Sequence, residues 1–342
     1  MRITTKIAGV IASLAAVALL ATGCSGTTGS SASGSTDAAN EYDDVIKVNF
    51  GYIPDFNGTS LLAIAKDQGY WEKYGLDVTT TSFTNGPLQI QAIGTGDLDF
   101  GYIGPGAMWL PASGQVKVVA INTLGRADRV VAQAGINSIE DLKGKSVAYP
   151  EGTSGDMILT LALEKAGMTK DDIQAVPMDA SAIVAALSSK QVDGAGFWYP
   201  ALATVKQQVP DLVELAKNED FEDTMAFPTA FVAGNDVVSK DPDKVERVLK
   251  ALRDAIQFRA EHADEAIQLT AAFNALDPAA VAADADNVKI LSLDELDSMT
   301  KDGTIDKWLT TMSDYFVGAG KLDGPVDGSE FYTGDLFLKA GE

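Results

Sequence analysis

The stretch "GDLDFGYIGPG" (96–106) passes from a polar turn through Leu98, Phe100, Tyr102 and Ile103 into a glycine–proline corner. That is the composition of a buried strand ending where the backbone can be approached closely. Further on, "KQVDGAGFWYP" (190–200) repeats the plan. An offset of 94 lays Asp99 on Asp193, Ala92 on Ala186, Ile93 on Leu187 and Leu98 on Val192. Each copy reads as a helix, a turn, an acid and a strand that ends at proline. Two copies in one order predict two similar lobes, with one copy in each.

The flanking sequence extends the pattern. "VIKVNFGYIP" (45–54) alternates and is rich in β-formers, so it predicts a strand. "GTSLLAIAKDQGYWEKYG" (58–75) predicts a helix with Thr59 or Ser60 as N-cap and Gly75 as its stop. "LDVTTTSF" (76–83) is a strand, and "TNGPLQIQAIGTG" (84–96) opens a helix with Pro87 in its first turn. "VKVVAINT" (116–123) and "RVVAQAG" (129–135) read as strands. A short helix, a strand, a Gly/Ser turn and a helix then follow in "SIEDLKGKSVAYPEGTSGDMILTLALEKAG" (138–167), and "IQAVPMD" (173–179) and "SAIVAALSSKQ" (181–191) continue the series. Strands alternating with helices predict an α/β fold with a largely parallel sheet.

After residue 230 the chain becomes helical and amphipathic, with "SKDP" (239–242) as a helix start and a polar tail at the end. These helices are expected on the first lobe. The chain would then cross between lobes twice, which makes a two-strand hinge. The expected division is lobe I over 45–130 and 230–342, and lobe II over 131–229.

The beginning of the chain predicts export. "MRITTK" is basic, "IAGVIASLAAVALLA" is apolar, and "LATGC" closes with small residues before Cys24. This is a signal peptide by charge, length and flanks. Its end resembles a bacterial lipobox, which implies cleavage after Gly23 and lipidation of Cys24. The Ser/Gly-rich segment over 24–44 has little to bury and is expected to be a disordered tether. Cys24 is the only cysteine, so no disulfide and no thiol chemistry is available.

With 48 acids against 26 basic residues and a formal charge of −22, the chain is a poor partner for nucleic acid. Loss of Arg2 and Lys6 with the leader would make it two units more negative. The single histidine, His262, lies in the charged run "FRAEHADEA" and reads as a solvated helix residue. Serine–histidine and cysteine–histidine nucleophile systems therefore lack parts. No zinc or phosphate-loop motif occurs, so neither metal nor cofactor is expected.

What remains is a set of glycine-rich corners where predicted strands pass into helices: "DFNGTS", "TNGP", "IGPG" and "PEGTSGD". In open α/β sheets a ligand crevice forms at the carboxyl ends of the strands. Helix N-termini there offer unpaired N–H groups, each contributing about 0.3–1 kcal/mol toward holding negative charge. Arg126 and Arg129 are the basic candidates near a strand end, with a surface role as an equal alternative. Trp198 and its neighbours Phe197 and Tyr199 suit a pocket wall, and Phe197 suits a core equally.

"IAKDQGYWEKYGLDVT", "IGTGDLDFGYIG", "SIEDLKGKSVAYPEGTSGD" and "SSKQVDGAGFWYPAL" together resemble solute-binding proteins of the taurine, nitrate and aliphatic-sulfonate importers, the SsuA/TauA-like group. The resemblance covers most of 46–235. It implies a type II periplasmic-binding-protein fold, no catalysis, and delivery of a small sulfonate-like solute to an ABC permease and its ATPase by a monomer. Alternatives within the role are nitrate, riboflavin or a thiamine-precursor pyrimidine. An enzyme of pyrimidine synthesis on the same fold and a surface scaffold module are the alternatives outside it. Carried over by position, ligand contacts are expected at Asp55, Asn57, Gly58, Asn85, Gly86, Gly104, Pro105, Thr123 and Arg126. The second lobe would add Thr153, Ser154, Gly155, Asp179 and Trp198. Glu151 and Asp156 flank the second-lobe turn and, if turned inward, would favour a zwitterion or a neutral heterocycle.

Overall fold

The computed structural model describes residues 42–342. The expected leader, the lipidated Cys24 and the tether as far as residue 41 lie outside the described residues. Eleven strands run through the described part: β1 (Ile46–Tyr52), β2 (Leu76–Ser82), β3 (Phe100–Ile103), β4 (Val116–Gly125), β5 (Asp128–Ala132), β6 (Ser146–Tyr149), β7 (Gln174–Pro177), β8 (Gly194–Trp198), β9 (Val213–Lys217), β10 (Pro228–Gly234) and β11 (Val288–Ile290).

They form two sheets, ordered β11-β4-β10-β3-β1-β2 and β7-β6-β8-β5-β9. Five strands match between the sheets: β2, β1, β3, β10 and β4 of the first against β7, β6, β8, β5 and β9 of the second. In each set the first three run parallel and the fourth and fifth join antiparallel. The two copies in the sequence, β3 and β8 with their preceding helices, hold the same central place in each sheet. This is the two-lobed α/β architecture of periplasmic binding proteins.

The chain crosses from the first sheet to the second between Gly125 and Asp128, and returns between the turn Asn218–Phe221 and Pro228. Residues 128–130, expected in lobe I, pair in the second sheet, because β5 runs beside β8 from Asp128 opposite Trp198. Only Arg126 and Ala127 separate β4 from β5. The crossing is short and extended.

The first lobe is built around stacked rings. Phe50 lies 5.4 Å from Phe100 and meets Phe231 edge-on at 5.6 Å, all three fully buried. Such pairs add about 0.5–1.5 kcal/mol each beyond their area. The C-terminal helices Pro242–Glu261 and Ala263–Asn274 pack on this lobe against the helix Phe56–Asp67. Lys73, ending the short helix Tyr70–Lys73, pairs with Asp254 of the helix Pro242–Glu261 at 2.7 Å.

Several local expectations change. The first helix begins at Phe56, capped by Asp55, because the Asp55 carboxylate takes the Gly58 N–H at 2.6 Å. Thr59 and Ser60 are therefore inside the helix and buried. The expected tether ends early as well: Arg247 lies 3.9 Å over the Tyr42 ring and pairs with Asp44 at 2.7 Å, which fixes residues 42–44 to the first lobe. The tail is not merely polar, since Phe331 and Phe337 are buried and Thr333 bonds to Val118 of β4. The edge strand β11 and the helix Ala201–Gln208 with β9 are additions that no sequence pattern had indicated.

Candidate functional site

The two lobes bring their strand-end corners to one hollow. Corners from the first lobe are Asp55 and Asn57 after β1, Asn85 and Gly86 after β2, and Gly104 and Pro105 after β3. The second lobe contributes Thr153 and Ser154 after β6 and Trp198 at the end of β8. All nine line a single pocket, open to solvent, of about 510 Å³. Each stands where a strand hands over to a helix or helical turn, as the glycine-rich composition of these corners requires. Asn85 caps its helix by accepting the Leu88 N–H at 3.0 Å. Thr153 is the N-cap of the helix Ser154–Lys165, and its hydroxyl donates to the Pro150 carbonyl at 2.6 Å.

Five expected residues do not reach the pocket. The Gly58 N–H is used by Asp55. Thr123 lies beneath the floor, where its hydroxyl donates to Asn57 Oδ1 at 2.7 Å, so it orients a lining residue rather than the ligand. Gly155 packs on Gly196 of β8. Asp179 is the N-cap of the helix Ala180–Ser188 and stays outside the lining. Arg126 is occupied by Glu222, with Nε and Nη2 at 2.6 and 3.1 Å from its two carboxylate oxygens, on the hinge. Arg129 likewise turns away, donating to the Arg126 and Asp128 carbonyls and to Asn287.

Glu151 and Asp156 also face elsewhere. Glu151 pairs with Lys321 at 3.4 Å, and Asp156 accepts the Gly152 N–H at 2.9 Å and pairs with Lys170. The acids that do enter are Asp55 and Asp128, 8% and 4% exposed. Burial raises Asp55 well above the usual carboxylate range, and the neighbouring charges of Asp284 and Asp128 add to the rise. Burial also raises Asp128, while hydrogen bonds from Ser154 and Asn218 oppose it. Asp284, behind Asp55, is lifted by burial to about 6 although it accepts the Phe56 N–H at 2.7 Å.

Sequence reasoning passed over Asp128 because it sits in the crossing, where no strand-to-helix corner marks it. Tyr102 and Thr229, which also line the pocket, lie in runs that read as core, whereas Tyr199 lines it beside Trp198 in the run that suits a pocket wall. A buried cation stands behind the floor: Arg259, fully buried, donates to Ser60 and to Asn122, and Asn122 donates to the Asn57 carbonyl. Burial lowers it to about 9, so it remains protonated at neutral pH. Its helical run read only as amphipathic surface.

The lobes touch beside the pocket, where residues 106–109 meet residues 152–154. Gly106 lies flush on Thr153 and Ser154, where a Cβ would run into the Thr153 carbonyl and the Ser154 nitrogen. Trp109 Nε1–H donates to the Gly152 carbonyl at 3.3 Å. Among the described residues no group of His, Cys, Asp and Glu side chains is placed to hold a metal ion, and no helix is long and apolar enough to cross a membrane.

The sequence profile of the NMT1/THI5-like family matches residues 57–266. The chain belongs to that family. A protein of Brucella abortus (strain 2308), described as a binding protein with no solute named, is 51% identical over 294 residues, 86% of this chain and 92% of its own length. The taurine-binding periplasmic protein of Escherichia coli (strain K12) is 28% identical over 196 residues, 56% of this chain and 60% of its own. Among solved structures, the alkanesulfonate-binding protein SsuA from Xanthomonas axonopodis pv. citri, bound to MOPS, matches with a TM-score of 0.68 at 22% identity. That match spans 85% of this chain and 99% of SsuA, and it shows the shared fold.

Proposed function

We propose that this chain is the extracytoplasmic solute-binding subunit of an ABC importer, held at the membrane by a lipid on Cys24. It takes a small solute of the sulfonate kind, the aminosulfonate taurine first, between its lobes and delivers it to the permease, which the ATPase drives. The observation that carries this reading is one pocket lined by strand-end corners from both lobes. A solute touching both corners favours the closed arrangement by its differential affinity for that state.

An aminosulfonate suits the pocket better than a plain sulfonate. Its sulfonate can meet the helix N-termini at Asn85–Gly86 and Thr153–Ser154, while its ammonium meets Asp55 and Asp128. Nitrate fits poorly, since among the described residues no lysine or arginine lines the pocket. A second reading, a pyrimidine, is favoured by the same acids as acceptors for ring amino groups and by Trp198 and Tyr199 as flat walls. Catalysis has little support, because His262, at the end of its helix, is exposed and stacks on Phe258 far along the chain from the lining residues.

A thermal-melting screen of the purified protein with alkanesulfonates, taurine, nitrate, riboflavin and pyrimidines tests the reading. A true ligand at a thousandfold excess over its Kd adds about 4 kcal/mol of stability. A screen in which none of them raises Tm would overturn it.

A further inference from the structure

The inner pocket does not end the cleft. Ile53, Asp55 and Trp198, which line it, also line an outer chamber of about 1390 Å³ open to solvent. Phe56 and Phe83 wall that chamber on the first lobe, and Val184 and Ala201 face them from the second. Leu276, 41% exposed, stands at its rim just past Ala275, which holds a left-handed φ of 53°.

The polar groups of the chamber are acceptors, hydroxyls and amides, and among the described residues no cationic side chain lines either space. Asn274 donates to the Thr59 hydroxyl at 3.1 Å, while its Oδ1 is buried there without a partner. The chamber is therefore apolar in its walls, with the Asp55 carboxylate as the acceptor it shares with the inner pocket.

We propose that the outer chamber is a second subsite, and that the solute is amphipathic: a compact protonated nitrogen head between Asp55 and Asp128, carrying an apolar body that lies over Trp198. This rests on the binding-subunit reading and keeps from it the ammonium of the aminosulfonate, with an apolar body in place of the sulfonate. Three arguments select this occupant. The chamber is continuous with the inner pocket through three shared residues, so one molecule can fill both. Its walls come from both lobes, so an apolar body there is buried when the lobes close, as a segment of another protein lying on the surface would not be. Finally, two buried carboxylates line the inner pocket and among the described residues no lysine or arginine does, so a cationic head is stabilised there. Taurine alone would use the inner pocket and leave the chamber empty.

Calorimetric titration of the purified protein with ethylamine, 2-phenylethylamine, taurine, ethanesulfonate and 2-phenylethanesulfonate separates the parts. Each buried methylene is worth about fourfold in affinity, so 2-phenylethylamine is expected to bind at least about tenfold tighter than ethylamine. It is also expected to bind at least about tenfold tighter than 2-phenylethanesulfonate, which lacks the nitrogen. A201W or T204W, each filling the chamber from the same helix, should bring 2-phenylethylamine down to the affinity of ethylamine. Two variants guard against one that fails to fold. Equal affinity for ethylamine and 2-phenylethylamine overturns the second subsite, and tighter binding of 2-phenylethanesulfonate than of the amine overturns the nitrogen head. Binding by taurine or ethanesulfonate in those cases leaves the binding-subunit reading standing. No heat from any of the five overturns both.

Discussion

Asp99 and Asp193 do the same work in the two lobes. Asp99 Oδ2 accepts the Asn49 N–H at 2.8 Å, and Asp193 Oδ2 accepts the Ser146 N–H at 2.9 Å. Each bond lies one residue ahead of a parallel pair, Phe50 with Phe100 and Val147 with Gly194. Each acid thus pins the start of a central strand to the strand beside it, and so fixes where the following corner emerges. Asp193 also accepts the Ser146 hydroxyl at 2.8 Å, and Asp99 pairs with Lys244 at 2.9 Å.

Removing either carboxylate leaves a backbone N–H without its partner at the edge of a ladder. D99A and D193A are each expected to lower unfolding stability by about 1–2 kcal/mol. Urea denaturation of the two variants checks this, and a loss below a few tenths for both would remove the acids from the account of the corners.

Gly106 stands where the two lobes touch. Since any side chain there meets the Thr153–Ser154 backbone, G106V is expected to keep the lobes apart, lowering solute affinity more than tenfold. The unliganded Tm should change little, because the clash exists only when the lobes meet. Small-angle scattering with and without solute reads the outcome directly: the variant should show no compaction where the wild type does.

Arg126 supplies the opposite expectation. Its ion pair with Glu222 is about one-third exposed on both sides, and such pairs contribute about 0–1 kcal/mol. R126A should leave solute affinity within about twofold. A loss of tenfold or more would return Arg126 to the ligand.

Asp284 gives a pH dependence with a definite sign. Its carboxyl is raised from 3.8 to about 6 by burial, so the native state holds this proton more tightly than the unfolded chain. Its contribution therefore falls as pH rises between those two values, and the penalty is complete above about 6. D284N, whose amide oxygen can still accept the Phe56 N–H, should melt several degrees above wild type at pH 7.5. Near pH 4 the difference should vanish. Melting curves at the two pH values test it, and a variant less stable at pH 7.5 would contradict it.

The sequence carried the lobes more clearly than the ligand chemistry. The 94-residue offset is legible because pinning a parallel strand needs an acid, a turn and an apolar run at fixed spacing, and both lobes need it. The corners at Asn85–Gly86, Gly104–Pro105 and Thr153–Ser154 were legible for the same reason: tight turns demand particular residues. Asp128 was not, since a buried acid in an extended crossing has no local signature. Its role depends on Trp198, seventy residues away, arriving opposite it. Arg126 was legible only as a cation near a strand end, and that composition is the same whether it meets a solute or Glu222. Helix starts failed by a turn where Asp55 outcompeted Thr59 and Ser60 as cap.

The central claim is that corners from both lobes close on one solute. A crystal structure of the protein with whichever compound most raises its melting temperature tests this most directly. The account predicts that compound in the inner pocket, touching Gly104 or Asn85 from one lobe and Ser154 from the other, with Asp128 beside it. Density for the compound on one lobe alone, or anywhere outside the cleft, would contradict it.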